Sequence, residues 1–209
     1  GQEINYFDYS DDLATSKKNN IYLGTVSRVE PSLQAAFIEF GSEKKAFLPF
    51  DEIHPSYFKI PHNEKILENG NQKNNEIDDE KENKKHFLSF YRKYKIQDVI
   101  KKDQVLLIQI VKEERGTKGA AVTTFISLPG RYSVLLPNNS STGGVSKKIS
   151  NPLDRKRLKR LHDNFNLPDG MSLIIRTNAI SAEDEDIIAD FSYLRKLWTK
   201  IREDTLKSK

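Results

Sequence analysis

Apolar and polar positions alternate along residues 20–50 in a pattern typical of short β-strands. The alternation runs over Ile21–Val29, and two short apolar stretches follow at Ala35–Phe40 and Ala46–Phe50. Glu30-Pro31 and Gly41-Ser42 separate the three segments and are typical of turns. Strands this short and evenly spaced predict a curled antiparallel sheet that closes into a small barrel of the OB type.

The strand pattern returns later in the chain. Asp103–Val111 alternates and then becomes continuously apolar, which predicts another strand. After a glycine-containing corner, residues 122–139 predict two strands that are broken at Leu128-Pro129-Gly130 to form a hairpin. Ser172–Thr177 predicts a buried strand that ends in Arg-Thr, where its polar side chains are available for chemistry.

Two amphipathic helices are predicted in the last third of the chain. Asn151-Pro152 supplies an N-cap followed by proline at the first helical position, and Pro168-Asp169-Gly170 ends this basic helix. Its buried side is predicted to carry Leu153, Leu158, Leu161 and Phe165. A second helix is predicted to open at Ser181, with Asp184 in the capping-box position. Spacings of three and four place its core-facing residues on one stripe: Ile187, Phe191, Leu194, Trp198 and Ile201.

Two segments stand apart from these patterns. Ile4–Tyr9 predicts a strand with no neighbouring strand to pair with, and the polar residues Ser10–Asn19 predict a connection after it. Asn63–Lys85 contains almost no apolar residue and predicts a disordered insertion. The chain as a whole is therefore predicted to be α+β, with a barrel followed by a smaller sheet-and-helix domain.

Composition argues against several kinds of site. The 209 residues contain no cysteine, which excludes disulfides, thiolate nucleophiles and sulfur-ligated zinc within this sequence. The four histidines lack HxxxH or HxH spacing, so an imidazole metal site is not expected. No apolar run approaches the roughly 18 residues that a membrane span requires. We therefore expect a soluble chain without a metal or a membrane span in this segment, and the composition is compatible with a reducing, cytoplasmic setting.

Charge is distributed in clusters. The 34 Lys and Arg face 30 Asp and Glu, for a net charge of +4. Positive residues gather at Arg92–Lys102, Lys112–Lys118 and Lys147–Arg160, whereas Glu183–Asp186 is acidic. Such clusters suit a phosphate backbone, although a charge run is also typical of a solvated face. Aromatic residues interleaved with Lys and Arg on a barrel favour single-stranded RNA as the partner.

Several ordered motifs resemble the ribonuclease E/G family. They are IYLGTVSRVEPSLQAAFIEFG, KAFLPF, KEERGTKGAAVTTFISLPGRY, LLPNN, GGVSKK and GMSLIIRTNA. The resemblance covers nearly everything from Asn20 onward except the insertion, and EPSLQAAF and PNN followed by GGVSKK are closer to the ribonuclease E branch than to the shorter ribonuclease G branch.

The resemblance implies a division into domains. Residues 20–124 would form an S1 RNA-binding domain that contains the insertion, and residues 125–209 would form a 5′-sensor domain. Residues 1–19 would contribute a strand of an RNase H-like subdomain and a linker. In the family, hydrolysis belongs to a later domain that holds Mg²⁺, followed by a cysteine pair that shares Zn²⁺ between subunits. The resemblance therefore implies no catalytic or metal residue in this segment, which we expect to be a fragment without cleavage activity of its own.

In the barrel, the resemblance assigns RNA binding to four residues. Phe37 and Phe47 match the positions on which the family stacks RNA bases, and Lys112 and Lys118 match positions near the RNA backbone. Stacking on a ring contributes roughly 1–3 kcal/mol per base and tolerates any sequence. The residues alone leave two alternatives open: Phe37 and Phe47 as core residues, and the two lysines as ordinary surface charges.

In the second domain, the resemblance assigns a 5′-monophosphate site to Gly130, Val134, Arg176 and Thr177. Arginine offers a planar fork of donors to phosphate oxygens, and threonine adds a hydroxyl and its backbone N–H. A strand end and a plain hairpin are the structural alternatives for these residues. Lys147-Lys148 stand where the family often has arginines, so a bidentate contact is replaced by a point charge there.

The resemblance also implies partners and location. The full-length family member would be a homotetramer that organises other RNA-degradation proteins in the bacterial cytoplasm, where it can associate with the inner membrane. Two alternatives from other classes are a complete, non-catalytic S1-type RNA-binding protein and a ribosome-associated translation factor, which leaves Arg176-Thr177 unexplained.

Overall fold

The computed structural model describes residues 17–59, 89, 91–139 and 143–208. Two predictions lie outside these residues: the strand at Ile4–Tyr9 and the disordered insertion at Asn63–Lys85. The described residues form a closed barrel, a second sheet and several helices, which confirms a mixed α+β fold.

Five strands close the barrel: β1 (Ile21–Glu30), β2 (Ala35–Glu39), β3 (Ala46–Pro49), β4 (Val105–Lys112) and β5 (Ala121–Thr123). Their order is β1-β2-β3-β5-β4, and β4 pairs with β1 to close the ring. Neighbouring strands are antiparallel except β3 and β5, which pair in parallel. This arrangement is consistent with the predicted OB-type barrel.

The long strand β1 curves, and it pairs with two neighbouring strands. Its first half, Ile21–Thr25, pairs with β4, and its second half pairs with β2. A register shift between Val26 and Arg28 bends the strand, as bulges do at barrel corners. Gly24 lies at the start of this curve, where a Cβ atom would overlap the side chain of Ile38.

Alternate strand positions fill the barrel core. In β2, Ala36 and Ile38 are fully buried on either side of the half-buried Phe37. A short helix that the sequence pattern did not predict, α1 (Ile96–Val99), adds Ile96 and Val99 to the same core. Four residues are too few to produce a helical repeat of apolar positions.

The second sheet contains β6 (Leu128–Pro129), β7 (Ser133–Leu136), β8 (Gly144–Val145) and β9 (Ser172–Ile175). Its order is β6-β7-β9-β8; β8 runs parallel to β9 and the other pairs are antiparallel. The hairpin predicted around Leu128-Pro129-Gly130 is confirmed as β6–β7. The strand predicted before this turn is divided, because β5 belongs to the barrel and β6 to the second sheet.

Two helices, α2 (Pro152–Asp163) and α3 (Asp184–Lys207), pack on one face of the second sheet. Asn151 caps α2 as predicted, because its Oδ1 accepts a hydrogen bond from Leu153 N at 2.9 Å. Leu158 and Leu161 are buried as predicted, but Leu153 is 78% exposed and its predicted burial is wrong. Leu153 lies in the first turn, about 140° around the helix from Leu158.

The predicted start of α3 is also wrong. The helix begins at Asp184 with Glu183 at the N-cap, and Glu183 makes no side-chain capping bond. Thr177–Ser181 instead form a 3-10 turn. Ala182 O then accepts a hydrogen bond from Arg157 Nη1 at 3.0 Å, which holds this connection against α2 and leaves Ser181 outside α3. The apolar stripe is confirmed at Ile187, Phe191 and Leu194, which are buried, and Trp198 and Ile201 pack beside them.

Candidate nucleic-acid interface

Phe37 and Phe47 lie side by side on the outside of the barrel. They occupy paired positions of β2 and β3, and their ring centroids are 5.9 Å apart at an angle of 68°. Their sequence neighbours on both strands are fully buried, so the two rings point away from the core and remain half-buried. The arrangement leaves aromatic surface available for stacking.

A groove of about 910 Å³ opens beside these two rings. Lys112, at the end of β4, and Lys118, in the β4–β5 connection, line the groove together with Phe37 and Phe47. The structure therefore brings the four sequence-predicted barrel residues to one place. Other charged residues of the lining are Lys44, Lys45, Glu113 and Arg115, so five cationic side chains accompany a single carboxylate among the lining residues.

Contacts between two loops fix the cationic side of the groove. Lys44 Nζ, in the β2–β3 loop, donates to Gly116 O in the β4–β5 connection at 2.6 Å, and Ser42 Oγ donates to the Glu114 carboxylate. Arg115 and Lys118 exchange backbone hydrogen bonds of 3.1 and 3.0 Å, which makes a tight turn around Gly116 at φ +57°. Lys118 is thus presented on a closed turn.

Arg28 extends the positive surface across the aromatic pair. Its guanidinium carbon is 4.7 Å from the centroid of the Phe37 ring, within the range of a cation–π contact. Glu30 lies 4.0 Å from Arg28, and a hydrogen bond from the Ser32 hydroxyl lowers the pKa of the Glu30 carboxyl. Arg28 was missed in the sequence because an arginine at an outward strand position carries no distinguishing pattern.

A second candidate site lies at one corner of the second sheet. Arg176 and Thr177 directly follow β9, and Arg176 Nη1 donates to Gly130 O at 2.6 Å. Arg176 N also donates to Tyr132 O at 2.8 Å. Val134 pairs with Pro129 and Ile174, which places its side chain on the same sheet face as that of Arg176. The four sequence-predicted residues of this domain therefore meet at one corner, which we call the sheet corner.

Asp190, on α3, holds the hairpin loop of the sheet corner. Its carboxylate accepts hydrogen bonds from Arg131 N at 2.9 Å, Tyr132 N at 3.1 Å and Ser133 N at 2.9 Å, and from Ser133 Oγ at 2.7 Å. A Cβ atom on Gly130 would lie 2.5–2.6 Å from the two carboxylate oxygens of Asp190. The close approach of this carboxylate therefore requires glycine at position 130.

Burial displaces the pKa of three groups in the barrel. It lowers the pKa of His54, whose Nδ1 accepts a hydrogen bond from Ser56 N at 3.1 Å. It raises the pKa of Tyr57, whose hydroxyl accepts from Leu107 N, and of Tyr91, whose hydroxyl donates to Ile53 O at 2.7 Å. These groups support the barrel and do not line either candidate site.

Among the residues that the structure describes, no group of three His, Asp or Glu side chains is arranged to hold a metal ion. None of the helices in the described residues is both long enough and apolar enough to cross a membrane.

Comparison with known proteins identifies relatives of one family. The model of the Ribonuclease E/G family matches residues 127–209. The chain is 39% identical over 202 residues to ribonuclease E of Escherichia coli, a match that covers 97% of this chain and 16% of that protein. It is 37% identical over 207 residues to ribonuclease E of Buchnera aphidicola from Schizaphis graminum, covering 99% and 19% of the two chains.

Ribonuclease G of Salmonella typhimurium is also similar, at 38% identity over 184 residues, which is 88% of this chain and 32% of that protein. The chain thus spans about a third or less of the length of these relatives. The matches extend across both the barrel and the second sheet, and they show that the chain belongs to the ribonuclease E/G family.

Proposed function

We propose that this chain is the RNA-recognition part of a single-strand-specific endoribonuclease that acts in RNA processing and mRNA decay. The barrel serves as an S1-type RNA-binding domain, and the second sheet with α2 and α3 serves as a sensor of a 5′-monophosphate end. The observation that carries the proposal is the meeting of Gly130, Val134, Arg176 and Thr177 at the sheet corner. A non-catalytic RNA-binding protein is less favoured, because the relatives are named ribonucleases.

The groove of the barrel has the surface that single-stranded RNA requires. Bases stack on Phe37 and Phe47, whose half-buried rings line the groove. Lys112 and Lys118 neutralise phosphates of the backbone that passes over them. Neither contact reads base identity, so this site accepts many sequences.

The sheet corner has the donors that a terminal phosphate requires. The bond to Gly130 O uses one N–H of the Arg176 guanidinium and fixes the orientation of the fork, while the side chain remains exposed. The remaining donors of the fork bind phosphate oxygens, with the Thr177 hydroxyl beside them. A 5′-hydroxyl end leaves these donors unpaired, and a triphosphate is bulkier and more highly charged than a monophosphate, so we expect both ends to bind less well than a monophosphate.

Recognition at two separate places gives a tethering mechanism. The sheet corner holds the 5′ end while the barrel groove holds nucleotides further along the same strand. Binding at the first place makes binding at the second intramolecular and raises its effective concentration. Mg²⁺ and Zn²⁺ are proposed for the full-length protein, but the described residues do not fit a site for either, and recognition as proposed here uses no metal.

The test measures fluorescence anisotropy of one short single-stranded RNA that carries a 5′-monophosphate, a 5′-hydroxyl or a 5′-triphosphate, at fixed salt. We expect the monophosphate to bind best. Arg176→Ala should abolish this preference while it leaves binding of the hydroxyl-ended RNA nearly unchanged. Phe47→Ala should weaken binding of all three RNAs by about 1–3 kcal/mol, that is by roughly 5- to 150-fold.

Matched controls remove similar side chains elsewhere. Arg202→Ala deletes an exposed arginine of α3, and Tyr193→Ala deletes an aromatic side chain of α3 that is 63% exposed. Both controls should bind like the unchanged chain. Equal binding of the three RNAs by the unchanged chain would contradict the 5′-end site, and equal losses in Phe47→Ala and Tyr193→Ala would contradict the barrel site.

A further inference from the structure

A second groove, of about 570 Å³, lies between α2 and β8 and is separate from the barrel groove. Its charged lining consists of Lys147, Arg155 and Lys159, with His162 and Asp163 at one end. Val145, Leu167 and Met171 add half-buried apolar surface. We call this the α2–β8 groove; none of the residues assigned above to the sheet corner or the barrel groove lines it.

The basic side of α2 divides into a structural part and a groove-facing part. Arg157 is used inside the protein, because it contacts Asp184 at 2.8 Å and the carbonyl oxygens of Ala179 and Ala182 at 2.9 and 3.0 Å. Arg155 and Lys159 follow each other at a spacing of four and line the groove. Lys156 and Arg160 are exposed and are absent from the groove lining.

On the β8 side of the groove, the backbone itself is accessible. Gly143 and Gly144 have no side chains, and Gly144 has φ +109° with open space where a Cβ atom would stand. Arg155 Nη1 donates to Ser146 O at 3.2 Å and to Ile149 O at 3.3 Å. These bonds hold the guanidinium in place beforehand, so less side-chain entropy is lost when an anion binds.

One end of the groove, at Lys147, lies at the same edge of the sheet as the sheet corner. Because β8 and β9 are parallel, their carboxyl ends lie at the same edge of the sheet, and Ser146 N donates to Ile175 O at 2.9 Å across it. Lys147 follows β8 and Arg176 follows β9, on strands that lie about 4.8 Å apart. From Lys147 the groove continues along α2 to His162, and Arg155 and His162, which are seven positions apart, are separated by about 10 Å along the helix axis.

We propose that the α2–β8 groove binds the phosphate backbone of single-stranded RNA next to the 5′ end that the sheet corner holds. Lys147, Arg155 and Lys159 contact successive phosphates, and the apolar wall receives the adjoining sugar and base surfaces. This inference rests on the proposed function for the position of the 5′ end, and it adds a backbone subsite to it.

The test compares two lysines of the same helix in the full chain. Lys159→Ala removes a groove-facing charge, and Lys156→Ala removes an exposed charge that does not line the groove. The association constant K of the chain with a 5′-monophosphorylated single-stranded RNA is measured at several salt concentrations. The slope of log K against log salt is negative, and Lys159→Ala should make it shallower by about 0.7, the value for one phosphate contact on a single strand. Lys156→Ala should leave the slope unchanged.

Two further measurements separate this inference from the 5′-end site. Lys159→Ala should retain the ratio of monophosphate to hydroxyl affinity, whereas Arg176→Ala should lose it. Lys159→Glu should weaken binding more than Lys156→Glu does, with melting temperatures showing that both variants are folded. Equal slopes and equal losses of affinity for the variants at positions 159 and 156 would overturn the proposal. The proposal would also be overturned if Lys159→Ala weakened binding of polyglutamate but not of RNA, because the groove would then be assigned to an acidic protein.

Discussion

At the scale of single residues, Gly130 and Asp190 determine the shape of the sheet corner. Three backbone N–H groups and one hydroxyl of the hairpin loop converge on one carboxylate of α3. Hydrogen bonds to a charged acceptor are stronger than neutral ones, so the loop is held firmly behind the Gly130 carbonyl that orients Arg176. Asp190 is thus a positioning residue that acts through the loop.

Gly130→Ala should therefore reduce the preference for a 5′-monophosphate. Its Cβ would lie 2.5–2.6 Å from the Asp190 oxygens, so the carboxylate must move and its four bonds weaken. We expect a loss of about 1–3 kcal/mol in the free energy of unfolding and a monophosphate-to-hydroxyl affinity ratio near one. Asp190→Ala should have the same effect, and the double variant should show less than the sum because both changes release one loop. A normal ratio in a folded Gly130→Ala protein would contradict this role.

His54 should make the stability of the chain depend on pH. Burial lowers its pKa in the folded state, so below the ordinary value of about 6.5 the unfolded chain binds more protons than the folded one. Stability is complete above that pH and falls as the pH decreases toward the folded-state pKa. Protonation of Nδ1 also removes the acceptor for Ser56 N.

The measurement is the melting temperature between about pH 7.5 and 5.5. His54→Phe retains a ring to pack against Phe125, whose centroid is 5.4 Å away, but it cannot titrate. On acidification, the melting temperature of the unchanged chain should fall further than that of His54→Phe. Parallel curves for the two proteins would assign the pH dependence to other groups.

At the scale of elements, the two loops of the barrel groove act as one unit. Gly119 lies against the backbone carbonyl of Lys45, and a Cβ atom there would overlap that oxygen. Gly119→Ala should push the loops apart, displace Lys118 and Lys45 from the groove, and weaken RNA binding several-fold. Gly116→Ala is the matched control, since its φ of +57° adds about 1–2 kcal/mol of strain but no atom lies within 4 Å of the new methyl group.

Binding curves and melting temperatures together test this prediction. Both variants should melt at a lower temperature than the unchanged chain, but only Gly119→Ala should lose affinity beyond what incomplete folding explains. If Gly116→Ala loses as much affinity as Gly119→Ala, the cause is strain in the turn and the contact between the loops is not needed for binding.

Sequence patterns predicted the elements that have an alternating or continuous apolar pattern and missed those that depend on distant contacts. The pattern of β1 and β4 includes alternation, β2 and β3 follow from short apolar stretches, and the stripe on α3 follows from helical spacing. The two-residue strand β8 carries no period, and its place beside β9 comes from pairing across the chain. Asp190 is far from the hairpin loop in sequence, and one aspartate among the six acidic residues of α3 gives no sign of the four bonds it accepts.

The candidate site residues follow the same rule. Family motifs identified Phe37, Phe47, Lys112, Lys118, Gly130, Val134, Arg176 and Thr177, and their roles remain predictions. The structure adds what the motifs do not contain: the presence of Lys44 and Lys45 in the lining of the barrel groove, the cation at Arg28, and the bond between Arg176 and Gly130. These depend on loop contacts across the fold.

At the scale of the whole molecule, buried polar contacts join the barrel to the second sheet. Gln109, in β4, is 3% exposed; its Nε2 donates to Asn19 O at 2.9 Å and to Ser127 O at 2.8 Å, and its Oε1 accepts from Ser127 N at 2.9 Å. Asn138 makes a similar pair of hydrogen bonds with the connection between β5 and β6. Its Oδ1 accepts from Ile126 N at 2.9 Å, and its Nδ2 donates to Thr124 O at 2.7 Å. Together, the buried Gln109 and the half-buried Asn138 fix the connection and hence the distance between the two candidate RNA sites.

Tethering depends on that distance, so Gln109→Ala should change the affinity for long RNA and the affinity for short RNA by different amounts. A strand that reaches both sites gains effective concentration only while the sites keep a suitable separation, whereas a short strand at one site does not. We expect Gln109→Ala to weaken binding of a long 5′-monophosphorylated strand more than binding of a short one. Gln104→Ala is the control, because Gln104 is also buried but donates to Tyr57 O within the barrel. Equal effects of Gln109→Ala on long and short strands would mean that the two sites bind independently, in which case the fixed junction serves stability alone.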